Sequence, residues 1–138
     1  MAIQLGIIKV VLESDDSPTR FERFCIDLYS EAEGIELLAT SRTWDLGRDA
    51  RSLAIAGGRY KAILCATLEK DIDEKVKSDI SYLTKTSLAQ TIIYCSSKPL
   101  SEEKCREIES VIRQLYSSVE SVQVLGQIQL TSLVERNR

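Results

Sequence analysis

The 138 residues contain no histidine, only two prolines, six glycines, one tryptophan and one methionine. Without an imidazole there is no Ser-His or Cys-His hydrolytic pair and no histidine metal ligand. The low proline and glycine content, with 28% charged and 43% hydrophobic residues, is that of an ordinary globular chain and excludes collagen-like or disordered composition. A basic surplus is absent too. The net charge is −3 and the pI near 5.1, so affinity for a nucleic acid must come from a local patch or a second module. No apolar run approaches the roughly 18 residues of a membrane span, because Lys9 interrupts the first stretch and Glu13, Asp15 and Asp16 follow it. That stretch also lacks a basic leader and a small-residue cleavage site, which points to a cytoplasmic protein without membrane contact. Cys25, Cys65, Cys95 and Cys105 form no C-x-x-C pair and sit in apolar segments, so they are expected to be reduced and to serve as small core hydrophobes.

What is present is enough for one domain, able to bury about two thirds of the surface its unfolded chain exposes. Residues 1–16 read as a helical extension, with Ile3, Ile7, Ile8, Val11 and Leu12 favouring a helix over 3–13, although the β-branched content and Gly6 would also suit a strand, and residues 17–134 as the core. Ser17 caps and Pro18 opens a helix over 18–33, whose face is Phe21, Phe24, Cys25, Leu28 and Ala32 and whose stop is Gly34. Residues 35–40 predict a strand and Ser41–Arg48 a polar loop holding Trp44. Asp49–Ala56 and Arg59–Thr67 predict a hairpin around Gly57-Gly58, and its second arm, Ala62-Ile63-Leu64-Cys65-Ala66, is apolar on both faces and so belongs in mid-sheet. Asp71 and Asp73 open a helix with Ile72, Val76, Ile80 and Leu83 inward and Lys85 near its end. Thr91–Cys95 is a buried strand. Ser101 caps a helix over Glu102–Tyr116, with Cys105, Ile108, Val111, Ile112 and Leu115 inward. Val122–Leu125 is a further strand, and Leu130, Leu133 and Val134 indicate a closing helix. The order predicts an α/β sandwich with helices flanking a central mixed β-sheet.

Chemistry is concentrated in Asp45-Leu46-Gly47-Arg48-Asp49, where a glycine-bearing loop delivers a carboxylate to the first residue of a strand, a good place for a hard-cation ligand. Phe21-Glu22 on the first helix, Asp45-x-Gly47-Arg48-Asp49 before a hairpin, an apolar strand ending at Thr67 and Lys75-Val76-x-x-Asp79-Ile80 on the next helix together resemble the Mrr-like branch of the PD-(D/E)XK restriction-endonuclease superfamily. The resemblance spans about residues 17–134 and implies a restriction-endonuclease-like three-layer sandwich that cleaves DNA phosphodiesters with Mg²⁺ or Mn²⁺. It implies further that Asp49 binds the metal and that Glu22 supports it. The (D/E/Q)-x-K triplet of that superfamily has no counterpart here, because Cys65-Ala66-Thr67 occupies its place. Some branches carry the lysine on the following helix instead. Lys75 and Lys77 lie on opposite flanks of that helix's apolar stripe, and the order Lys-Val-x-x-Asp-Ile matches the related pattern at Lys75.

Arg48, Arg51, Arg59, Lys61 and Lys70 make the hairpin and its exits locally basic, and Arg48, Arg51, Lys70 and Lys77 are the candidate DNA contacts. The expected function is therefore a metal-dependent DNA endonuclease domain in bacterial restriction or anti-phage defence, fused to or associated with a recognition or NTPase domain and able to form a homo-oligomer. The alternative is an inactive copy of the fold that mediates DNA contact or protein association. A small-molecule α/β enzyme is the remaining class, and no glycine-rich nucleotide fingerprint supports it. The endonuclease reading carries two geometric requirements. A strict two-residue turn at Gly57-Gly58 would oppose Asp49 to Ala66 and send Cys65 and Thr67 to the other face, so the hairpin needs an odd loop or a bulge. Glu22, Asp49 and Lys75 must also converge, with the carboxylates about 5–8 Å apart.

Overall fold

In a computed structural model, residues 18–39, 50–52, 55–56 and 59–136 are described. The expected helix over 3–13, the Ser17 cap, the polar loop with Trp44 and the Gly57-Gly58 turn lie outside them. Among the described residues four helices and six strands follow in the order α1 (Pro18–Glu33), β1 (Leu37–Ala39), β2 (Ala50–Ser52), β3 (Ile55–Ala56), β4 (Arg59–Thr67), α2 (Ile72–Thr86), β5 (Ala89–Ser96), α3 (Glu102–Leu115), β6 (Ser121–Leu125) and α4 (Gln127–Arg136). The strands form one mixed sheet of order β1-β2-β4-β5-β6, with β3 also on β4. β1, β2 and β4 pair antiparallel, whereas β4, β5 and β6 are parallel. The parallel pairs require crossovers, which α2 and α3 supply. Both crossovers step the same way along the sheet, and a constant hand therefore puts both helices on one face.

Strand alternation sorts the core into two halves. Ala62, Leu64, Ile93 and Cys95 face α1 and α4, meeting Phe21, Cys25, Leu28, Tyr29, Leu130 and Leu133. Ile63, Cys65, Ile92 and Tyr94 face α2 and α3, meeting Val76, Ile80, Leu83, Ile108 and Ile112. The molecule is thus helices, sheet, helices. None of the four cysteines is in a disulfide; three of them are buried and Cys105 partly so.

The ends of the elements follow from local chemistry. α1 stops at Gly34, whose φ of 66° lies in the left-handed region that a side chain disfavours. The Ser101 hydroxyl accepts the Lys104 N–H at 3.0 Å and caps α3. At the far end of α3, the buried Tyr116 hydroxyl accepts the Ala89 N–H at 2.8 Å and donates to the Ser87 carbonyl at 2.7 Å, tying that helix to the start of β5. One expectation is corrected here. Leu115 is exposed rather than inward, because it stands at the open rim between the ends of α2 and α3, beside the still more exposed Leu88.

The hairpin register is broken. Ile55 opposes Tyr60 and Ala56 opposes Arg59, as a two-residue turn requires, yet Arg51 opposes Ile63 and Ala50 opposes Leu64. The first arm therefore holds one residue more than the second between the two ladders, the count of a β-bulge. This is the parity that the endonuclease reading demands at the base of the hairpin.

Tyr29 stands on the inner face of α1, where burial above all, then Glu33 and Cys95, pushes its phenol up to about 12. An unfolded chain releases that proton near 10. The native state alone then keeps the proton, so Tyr29 contributes stability in full below pH 10 that is lost progressively as pH rises through 12. Urea unfolding between pH 8 and 12 should show a falling midpoint whose slope is shallower in Tyr29→Phe; equal slopes in the two proteins would contradict this.

Candidate functional site

β4 runs toward Thr67, and three other segments are brought to that same end. Ala50, the first residue of β2, lies opposite Leu64. α2 begins after the short connection 68–71, so its first turn, with Lys75, stands above the end of β4. β1 is parallel to β4 through β2, and the connection 34–36 turns the chain back from α1, so the N-terminal half of α1, with Glu22, overlies this end as well. Asp49 precedes Ala50 directly and lies outside the described residues, as does Arg48. Glu22 and Lys75 sit on helices that cover opposite faces of the sheet, since α1 packs on the Leu64 face and α2 on the Cys65 face. The convergence required of Glu22 and Lys75 is therefore not seen between their helices, and the third member, Asp49, is outside the described residues.

The triplet position holds no charge. Cys65 and Thr67 are both buried. Thr67 is committed to the exit from the strand, its hydroxyl accepting the Glu69 N–H at 3.0 Å and its carbonyl the Ser97 N–H at 3.2 Å. Among the described residues no three carboxylate or thiol groups lie close enough to hold a metal ion.

Lys75 and Lys77, which periodicity leaves equivalent, are distinguished by their neighbours. The Asp73 carboxylate pairs with Lys104 of α3 at 2.8 Å, so the flank of α2 bearing Asp73, and Lys77 one turn on, is turned to α3. At about 100° per residue Lys75 and Asp79 share the other flank. There the Lys75 ammonium lies 3.1 Å from Asp79 Oδ1, and Asp79 Oδ2 accepts the hydroxyl of the fully buried Tyr94 at 2.8 Å. Asp79 and Tyr94 are not among the site residues expected from sequence. The i,i+4 spacing of Lys75 and Asp79 is a signal for the first, and nothing local announces the second.

The basic residues divide. Lys61, Lys70 and Lys77 are exposed, and Arg51 occupies the β2 position opposite Ile63. Arg59 stands at the start of β4, remote from the site, where its guanidinium donates to the Ala89 carbonyl at 3.0 Å and the Ser118 carbonyl at 2.8 Å and pairs with Glu120 at 3.3 Å. Its work is structural. Asp27, Glu31 and Glu36 line a shallow hollow at that remote end too, with the terminus of α1.

Comparison with known proteins finds no matching family model, no matching curated protein and no matching solved structure. Among the described residues no helix is long and apolar enough to cross a membrane.

Arg59→Ala leaves two carbonyls without their charged donor and should cost about 1–3 kcal/mol of unfolding free energy in urea. It should leave any DNA affinity, read by fluorescence anisotropy, within about twofold of the parent. A stable variant with strongly weakened DNA binding would place the nucleic-acid surface at the other end of the sheet.

Proposed function

We propose that the chain is a metal-dependent DNA endonuclease domain with a restriction-endonuclease-like sandwich. The observation that carries this reading is the gathering, at the end of β4, of the start of β2, the Glu22 half of α1 and the Lys75 turn of α2, in an element order of helix, three-stranded meander, helix, strand. The broken hairpin register supports it from a second direction.

Attack on a phosphodiester requires that charge developing on oxygen be neutralised and that a water be made nucleophilic. Asp49 and Glu22 would hold a divalent cation, and that donor set suits Mg²⁺ or Mn²⁺ in a water-rich shell completed by a substrate phosphate, because two carboxylates are the usual protein share for Mg²⁺. The cation would supply Lewis acidity at the phosphate oxygen. Lys75, a point charge on a long stem, orients the attacking water and offsets phosphate charge. Lys70, Lys77, Arg48 and Arg51 would meet the DNA backbone. For a chain of net charge −3 this small patch makes weak intrinsic affinity the expectation, and it fits a domain that works in the cytoplasm of a bacterium beside a fused or associated recognition or NTPase module, or as a homo-oligomer, in restriction or anti-phage defence.

One observation favours the second reading, an inactive copy used for DNA contact or protein association. The buried, neutral Cys65 and Thr67 provide neither the carboxylate nor the lysine of the superfamily's triplet. Supercoiled plasmid incubated with Mg²⁺ or Mn²⁺ separates the two. The endonuclease reading expects nicking that EDTA abolishes and that Asp49→Ala reduces by more than about 10- to 100-fold, the loss common for mere outer partners of a metal. Equal DNA integrity with wild type and Asp49→Ala, in the presence of measurable DNA binding, is the result expected of the inactive module.

A further inference from the structure

The carboxylate of Asp79 is shared between two groups through two different oxygens. Oδ2 takes the Tyr94 hydroxyl at 2.8 Å, and Oδ1 takes the Lys75 ammonium at 3.1 Å. Tyr94 is fully buried in β5, where it lies in register with Cys65 of β4, and both point to the α2–α3 face. A phenol enclosed in a core needs a partner for its hydroxyl, and its ring has few ways to move. Asp79 is itself largely covered, its side chain 15% exposed, while Lys75 at 40% still reaches solvent. A lysine on a solvated helix surface ordinarily samples many rotamers and gains little from an i,i+4 pair. Here the pair is referred to the sheet, because a hydrogen bond from the core fixes the carboxylate plane and so the site of the ammonium.

We propose that Tyr94 and Asp79 are positioning residues for Lys75: they hold its ammonium at the end of β4, beside the strand position Cys65 where the charged triplet is missing. This rests on the endonuclease reading for its consequence in catalysis, but the geometric claim stands apart from it. Anchoring a lysine from the helix side makes good one part of what the neutral strand lacks. Tyr94 acts through Asp79, and neither needs to touch the substrate. The misplacement of a catalytic group by about 1 Å costs on the order of 10²-fold in rate. Loss of the phenol oxygen, which leaves the ion pair without its anchor, should therefore be felt in turnover and not in metal affinity.

Two measurements on the 138-residue chain test this. The first is competitive labelling of lysine amines with acetic anhydride at one pH, read by mass spectrometry, with the exposed Lys70 and Lys77 as internal references. A neighbouring carboxylate favours the charged amine, so Asp79→Asn should raise Lys75 labelling relative to Lys77 several-fold, and Tyr94→Phe should raise it by a smaller factor. Thermal unfolding of each variant is followed to confirm a folded chain, and Asp79→Glu, which restores the charge, should recover part of the protection if Asn proves unstable. The second is plasmid nicking against Mg²⁺ concentration, where Tyr94→Phe should lower the rate at saturating metal about tenfold or more while leaving half-saturation by metal unchanged. Unchanged Lys75 labelling in folded Asp79→Asn and Tyr94→Phe overturns the proposal, and changed labelling with an unchanged nicking rate overturns its consequence in catalysis. If wild type nicks no DNA, the endonuclease reading fails, and the labelling ratio still decides whether Asp79 and Tyr94 hold Lys75.

Discussion

Ala62 to Cys65 are all buried, alternately under α1 and under α2, and β4 is the one strand of the described sheet that pairs antiparallel on one side and parallel on the other. The burial comes from four consecutive small or aliphatic residues, since a strand covered on two faces carries no polar side chain. From this strand outward the rest is obliged. The antiparallel side allows a hairpin, so β2 begins where β4 ends; the parallel side demands a crossover, so α2 also begins where β4 ends. α1 is returned to that same end by its short link to β1. The convergence of chain at one edge of the sheet is therefore a consequence of how β4 is buried and paired.

Buried strands leave little room for chemistry of their own. The end of β4 is lined by a thiol and a hydroxyl already used in the turn, so the proposed site takes its charged groups from elsewhere, Glu22, Asp49 and Lys75. A functional side chain is held in place by the packing and hydrogen bonds behind it. The Tyr94–Asp79–Lys75 chain of contacts is such a hold, and it begins on the strand next to the one that lacks the charges.

Much of this architecture was legible in the residues. α1, α2, α3 and α4 announce themselves by apolar spacing, and Ser101 and Gly34 by cap and stop chemistry, because those signals lie within a few residues of where they act. The double-sided apolar run in β4 correctly marks a central strand. What sequence leaves open depends on contacts between distant residues. The break between β2 and β3 has no marker in a period-two pattern; register arithmetic shows only that some break is needed. What separates the flank of Lys75 from that of Lys77 is the pairing of Asp73 with Lys104, thirty-one residues away. The hydroxyl of Tyr94 looks like any core tyrosine until Asp79 is seen beneath it. Leu115 satisfies the helical stripe and is nonetheless exposed, since the stripe outruns the surface it covers.

The proposal stands on a cation site at the end of β4 that draws on Glu22, Asp49 and Lys75. Titration with Mn²⁺, followed by paramagnetic broadening of backbone amide signals, tests it without reference to catalysis. The account predicts that signals from Glu22, Ala50, Thr67, Leu68 and Lys75 broaden first, that Ser87, Ala89 and Ser118 at the other end of the sheet stay sharp, and that Asp49→Ala abolishes the selectivity. Broadening that starts instead around Asp27, Glu31 and Glu36, or that spreads evenly over the surface, would contradict it.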